Sequence, residues 1–208
     1  MMQMKLNDYN VKRAIAGNPL LAGKKPIGRG AFSMVFDGPK PSSVLKLTID
    51  RAGYYLLNCW VAGAKGKHFP RVRKNHKDIG VTTVKGEDYP IYLFEMERLL
   101  PNRRGTPARK EADAIQESSY HRGGRTTGDC IGAIANDKSA AISRSVRNAL
   151  QDLEVFAGNY DNLEIDMHSG NFMQRKDGTL VITDPFADKR LFDIQTGSGD
   201  FGWRQRCG

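Results

Sequence analysis

Two short polar words on either side of a hairpin place the tightest constraint on this chain. Glu164-Ile165-Asp166-Met167-His168-Ser169-Gly170-Asn171 leads into two β-like runs, NFMQR and TLVITD, joined by Lys176-Asp177-Gly178; Pro185-Phe186 follows. An Asp-Gly pair favours a tight hairpin turn. The chain thus reproduces D-x-x-x-x-N and, after a hairpin, D-x-F. Its fold has to accommodate two acid-bearing turns and the strands between them.

The rest of the sequence bounds what can surround this segment. At 208 residues, and with about 150 residues per domain as a guide, one domain or two small lobes is expected. Hydrophobic residues make up 39% and charged residues 26%, the balance of a globular protein with a real core. Lys and Arg number 32 against 23 Asp and Glu, a net charge of +9, which leaves nucleotides, nucleic acid and acidic protein surfaces open as partners. Cys59, Cys130 and Cys207 are far apart and form no C-x-x-C pair, so neither a disulfide framework nor a zinc site is indicated. The start of the chain is broken by Lys5, Asp8, Lys12 and Arg13 and offers no signal-peptide core. No run approaches the roughly 18 apolar residues of a membrane span. A cytoplasmic location without membrane contact is the expectation.

Periodicity orders the remaining segments. Residues 27–36 and 43–49 read as a hairpin broken at Gly38, Pro39 and Pro41, and residues 81–84 and 89–96 as a second one around Lys85-Gly86-Glu87-Asp88. Between them, 51–61 has the pattern of a short amphipathic helix. Residues 65–77 hold six Lys and Arg and read as a solvated loop. The stretch from Leu100 to Asp137 is polar, punctuated by Gly and Pro, and reads as a partly mobile insertion. In 138–158, Ile142, Val146, Leu150, Leu153 and Phe156 recur at helical spacing.

Three signals then occur in order. Gly28-Arg29-Gly30-Ala31-Phe32-Ser33-Met34-Val35 has the form G-x-G-x-x-G-x-V with Ser33 in place of the third glycine, and it lies between strands. Such a loop lets backbone N–H groups approach phosphate oxygens. Eleven residues beyond Val35, Lys46 sits among apolar neighbours, where an ammonium needs an anionic partner. The two acidic words come last. In phosphoryl transfer, the first Asp (Asp166) orients the nucleophile's proton, the Asn (Asn171) ligates magnesium and the last Asp (Asp184) bridges magnesium to phosphate. Such hard oxygen ligands suit that metal. His168 could hold the loop or offset charge on the γ-phosphate. Met96, Glu97 and Leu99 close a β-rich run where a hinge would contact adenine, through backbone groups of Glu97 and Leu99.

With these residues in hand, the chain resembles the protein-kinase-like superfamily. More narrowly, D-M-H-S-G-N (166–171) and I-T-D-P (182–185) make it similar to the early serine/threonine protein kinases of T-seven-type bacteriophages. The resemblance spans about residues 27 to 186. It implies an α+β, minimal two-lobed kinase fold in a single domain, 1–208. The small antiparallel β lobe would span about 1–97, the hinge about 96–99, and a truncated helical lobe about 100–208. It implies ATP and Mg²⁺ as cofactors, and catalysis by Asp166, Lys46 and His168. Nucleotide would be bound by Gly28, Gly30, Ser33, Val35, Lys46, Glu97 and Leu99, and metal by Asn171 and Asp184. It further implies host protein substrates such as RNA polymerase, in the host bacterial cytoplasm.

The sequence departs from the wider kinase pattern. Residues 51 to 77 contain no Asp or Glu to pair with Lys46, which leaves Asp50 or Glu87 as candidates, and only 24 residues follow Asp184, with no A-P-E word. Asp-Met-His-Ser-Gly-Asn also resembles aminoglycoside and choline kinases, so a small-molecule kinase is one alternative. A catalytically weak kinase fold that inhibits a host target by binding is another. Nucleic acid is not expected, because 65–77 interleaves only one aromatic, Phe69. Ser118, Ser119, Thr126 and Thr127, beside Arg122 and Arg125 in what reads as an exposed loop, are candidates for autophosphorylation.

Overall fold

The computed structural model describes residues 9–61, 66–121 and 126–196; Arg122, Arg125 and Cys207 lie outside them. The chain is α+β, with a small antiparallel sheet and several helices. It divides into two compact units. The first comprises Met1–Ala64, Arg71–Arg98 and Ile194–Thr196; the second comprises Lys65–Pro70, Leu99–Asp193 and Gly197–Gly208.

In the first unit, helix α1 (Tyr9–Gly17) precedes strands β1 (Pro26–Arg29), β2 (Ser33–Asp37) and β3 (Ser43–Thr48). Helix α2 (Arg51–Val61) and strands β4 (Val72–Val84) and β5 (Glu87–Glu97) follow. The strands form one antiparallel sheet in the order β1-β2-β3-β5-β4. β3 is buried along its whole length. Both expected hairpins form, but residues 27–36, read as one arm of the first, split at the glycine turn into β1 and β2, and β2 alone pairs with β3. The second turns on only two residues, Lys85 and Gly86, with φ of 49° and 87°, the left-handed pair that matches the twist of tight hairpins.

α2 begins where the chain leaves β3 because Asp50 caps it. The Asp50 Oδ1 accepts from the Ala52 N–H at 2.9 Å, and the Asp50 N–H donates to Thr48 Oγ1 at 3.1 Å. Residues 65–77 are not one solvated loop: from Val72 onward they are the start of β4. The register against β5 shifts between Val72 and Lys74, between Asn75 and Asp78, and between Asp78 and Val81. These bulges absorb a pattern too irregular to read as a strand. The charges of Arg73, Lys74 and Lys77 remain exposed on this edge strand, where charge discourages pairing with another chain.

The second unit holds helices α3 (Pro107–His121), α4 (Thr127–Asn136) and α5 (Arg144–Gly158) and part of α6 (Lys189–Thr196). Strand β7 (Leu163–Ile165) pairs with β10 (Phe186–Asp188), and β6 (Leu100–Pro101), β8 (Phe172–Gln174) and β9 (Leu180–Ile182) form a sheet in the order β6-β8-β9. The polar stretch 100–137, expected as a partly mobile insertion, is largely helical. Its breakers stand where helices use them. Pro107 opens α3, a position that needs no N–H. Thr126 and Asp129 form a capping box at the start of α4, each side chain accepting from the other's backbone N–H at 3.1 and 3.0 Å. Gly132 lies against Glu154 of α5, whose carboxylate a Cβ would strike.

The helix expected over 138–158 begins only at Arg144. Before it, Arg147 gathers the preceding turn by donating to the carbonyls of Ala135, Asp137 and Ala140 at 2.9, 2.7 and 2.9 Å. Its apolar face, Val146, Ala149, Leu150, Leu153 and Phe156, is buried, and Phe156 stacks on Phe186 of β10 with ring centres 5.6 Å apart. Residues 67–69 are pinned in this unit. Arg175 donates to the carbonyls of Lys67 and Phe69, and the Ile182 N–H donates to the His68 carbonyl at 2.8 Å.

Candidate active site

In the first unit, sheet register brings several of the expected phosphate-binding residues into one row. Gly28 lies opposite Val35, Val35 opposite Lys46, Lys46 opposite Phe94, and Phe94 opposite Asn75. Directly paired residues in a sheet point to the same face, so Val35, Lys46 and Phe94 share one face. Lys46 is 6% exposed.

The glycine turn between β1 and β2 is closed by the Gly30 N–H donating to the Ser33 carbonyl at 2.8 Å. A Cβ at Gly30 would lie 3.0 Å from Ser33 Oγ, whereas one at Gly28 would meet Val35 at an ordinary 3.7 Å. Gly30 is therefore the position where a side chain would crowd the turn. Phe32 is buried beneath it, its carbonyl accepting from the Ile49 N–H at 3.1 Å and from Thr48 Oγ1 at 3.2 Å.

Helix α2 covers the face of the sheet that carries Lys46. Tyr54 stacks on Tyr92 with centres 3.8 Å apart and lies 5.9 Å from the Phe94 ring. Asn58 Oδ1 accepts from Asn75 Nδ2 at 2.6 Å. Where an acidic helix residue would stand, this helix presents a phenol and an amide. Burial and the neighbouring Tyr54 push the Tyr92 phenol above its ordinary value. Of the two acids named as substitutes, Asp50 caps α2. Glu87 stands at the far end of β5, seven residues from Phe94, or roughly 24 Å along an extended strand, too far to meet Lys46.

The expected hinge residues fall on either side of the division between the units. The Glu97 N–H donates to the Arg71 carbonyl at 2.9 Å, and Glu97 Oε1 accepts from the Arg71 N–H at 2.9 Å. The Glu97 N–H is thus committed to the Arg71 carbonyl, just before β4, so this one of its backbone groups is not open to a base. Leu99 is buried in the second unit.

In the second unit, Asp166, Asn171 and Asp184 are brought together by short backbone tethers. The Asp166 N–H donates to the Pro185 carbonyl at 2.9 Å, and both the N–H and the hydroxyl of Thr183 donate to the Asn171 carbonyl at 2.9 Å. Asp184, between Thr183 and Pro185, is therefore fixed on both sides. The Asn171 amide donates to the Asp166 carbonyl at 2.6 Å and to Asp166 Oδ2 at 2.9 Å. This leaves Asn171 Oδ1 as the acceptor end of the amide.

His168 caps the single 3₁₀ turn Ser169–Asn171: its Nδ1 accepts from the Gly170 N–H at 3.0 Å. The ring proton therefore sits on Nε2, which lies 3.5 Å from Asp166 Oδ1. A Cβ at Gly170 would come within 2.7 Å of the His168 ring, so a side chain there would force the ring to shift. Gly170 and Thr183 stand inside the words that sequence reading singled out, but their roles depend on backbone geometry.

Among the described residues no group of three or more His, Cys, Asp or Glu could hold a metal ion. Asp184 with Asn171 is a smaller donor set of hard oxygens. It fits magnesium, which keeps several waters and is bound through one or two carboxylates together with substrate phosphates. No family model and no curated protein matches the chain.

The four serines and threonines expected in an exposed loop are committed to structure. Ser118 and Ser119 are buried in α3. Their hydroxyls donate to Asp137 Oδ2 at 3.0 Å and to the Gln116 carbonyl at 2.6 Å. Thr126 caps α4, and the Thr127 hydroxyl donates to the Leu163 carbonyl at 2.7 Å. No helix of the described residues is long and apolar enough to cross a membrane.

Proposed function

We propose that this chain is an ATP-dependent serine/threonine protein kinase of minimal two-lobed form, of the kind encoded by T-seven-type bacteriophages. Its substrates would be host proteins, such as the transcription machinery, in the bacterial cytoplasm. The observation that carries this reading is the double tether of Asp184, with Thr183 bonded to Asn171 and Pro185 to Asp166. Lys46 on the third strand of a sheet whose first hairpin is glycine-rich, followed at once by a helix, supports it.

In this reading Asp166 accepts the proton of the substrate hydroxyl as that oxygen attacks the γ-phosphorus and ADP leaves. The Asn171 amide holds the Asp166 carboxylate through Oδ2. Asn171 Oδ1 and Asp184 would hold magnesium, which neutralises charge on the phosphates. Lys46 would pair with the α- and β-phosphates, and Gly28 to Ser33 would cover them. His168, with its proton on Nε2, supports the Asp166 loop. Phosphate transfer from labelled ATP to proteins of a host extract, lost in Asp166→Ala, tests the proposal; undiminished transfer in that variant overturns it.

The neutral face of α2 favours one second reading, a kinase fold that acts by binding its target. Host effects that persist in Asp166→Ala would select it. Phosphorylation of aminoglycosides or choline, with no labelled protein, would select a small-molecule kinase.

A further inference from the structure

The surplus of positive charge is unevenly divided. The first unit holds 15 of the 32 Lys and Arg against 8 of the 23 Asp and Glu, a surplus of seven; the second holds a surplus of two. Within the first unit, α1 lies on the face of the sheet opposite α2. A Cβ at Gly80 of β4 would meet Ala14 of α1 at 3.3 Å and Ile91 of β5 at 3.6 Å, and Ile91 alternates with Tyr92, which carries the α2 contact.

Beside this close approach runs a cavity of about 330 Å³, lined by Asn10, Arg13, Ala14 and Gly17 of α1, by Asn18 and Pro19, and by Ile79, Gly80 and Val81 of β4. The α1 residues follow helical spacing and form one face of that helix. Two apolar side chains stand out near it: Val81 is 50% exposed, and Tyr9, one turn before Arg13, is 72% exposed. Arg13 and Lys12 are exposed. The nearby acid, Asp78, pairs in register with Tyr92 and so belongs to the α2 face.

We infer that this groove between α1 and the bulged end of β4 is a docking site for an acidic peptide segment of a protein partner. An apolar side chain would enter beside Val81, and a flanking carboxylate would pair with Arg13. Charge complementarity selects this occupant: the cavity combines an arginine and exposed apolar surface on the unit that carries most of the surplus charge. The site goes beyond the phosphotransfer reading and needs neither ATP nor the Asp166 loop.

The test is fluorescence anisotropy of purified protein with a short labelled peptide of glutamates around one leucine. Wild type should bind, more weakly as salt rises. Arg13→Glu and Val81→Glu should each weaken binding about tenfold, the effect of losing one well-formed contact. Lys40→Glu makes the same charge change on the turn between β2 and β3, at the other end of the sheet, and should bind as wild type. Asp166→Ala should also bind as wild type, which separates this site from the catalytic proposal. Equal loss in Arg13→Glu and Lys40→Glu, no binding by wild type, or displacement by an equal-length RNA would each overturn it.

Discussion

Asn171 grips Asp166 twice, its side-chain amide donating to the backbone carbonyl at 2.6 Å and to the carboxylate Oδ2 at 2.9 Å. Asn171→Ala removes both bonds while leaving the Thr183 tethers, which use the Asn171 backbone carbonyl. Under the proposed function, the expected outcome is a folded protein whose phosphate transfer falls by about 10²–10⁴-fold, the range for a mispositioned general base. Far-UV circular dichroism and a labelled-ATP assay check the two halves. Asp184→Asn should add a raised magnesium requirement, read from a titration of rate against Mg²⁺.

Gly170→Ala places a methyl group against the His168 ring. The ring, half exposed, must then shift and give up its bond to the Gly170 N–H or the turn must strain, and the variant should melt at lower temperature. In the His168→Ala background the same substitution should cost much less, because the ring it strikes is gone. A double-mutant cycle of denaturant midpoints measures the difference; additive losses would show that the ring is not what excludes a side chain.

His68 supplies a pH dependence. Burial holds its imidazole below the ordinary value of 6.5, partly offset by its bond to the Leu180 carbonyl. Nδ1 lies 2.8 Å from that carbonyl and so carries the proton, which leaves Nε2 to accept from Ser145 Oγ at 2.9 Å. The folded state thus favours neutral imidazole. As pH falls through about 6.5 the unfolded chain takes up the proton first, so stability present above that value is lost on acidification. Thermal unfolding from about pH 7 to about pH 5 should show this fall, and His68→Gln should show a shallower one.

Phosphosite mapping after incubation with ATP should find Ser118, Ser119, Thr126 and Thr127 unmodified. Two are buried and the other two bond helix or strand backbone. Modification at any of them in folded protein would show that α3 or α4 opens.

The residues that the second unit's tethers bring together were legible from residue type and order alone. Asp166, Asn171 and Asp184 stand out by order and spacing, and the Asp177-Gly178 turn announces the hairpin that separates the last two. The hairpins of the first unit were readable for the same reason, because glycine and proline interrupt their alternation. What stayed hidden depends on partners distant in sequence. β4 is a strand because β5 pairs with it through three register shifts, and no local pattern encodes a bulge. α3 and α4 looked like a loop because Pro107 and Gly128 count as breakers, yet each stands in the first turn of a helix. The bond of the Glu97 N–H to Arg71, far away in sequence, likewise had no local signal.

The stack of Tyr54 on Tyr92 bears on control. A helix fastened by a carboxylate can be released by protonation, by salt or by a competing cation. Two of the contacts that hold α2, ring on ring and amide on amide, are neutral, and burial raises the Tyr92 phenol above its ordinary value; Arg51 adds a charged contact, to the Asp88 carbonyl and over the Tyr89 ring. The ring stack and the amide pair are themselves indifferent to ionic conditions that would loosen an ion pair.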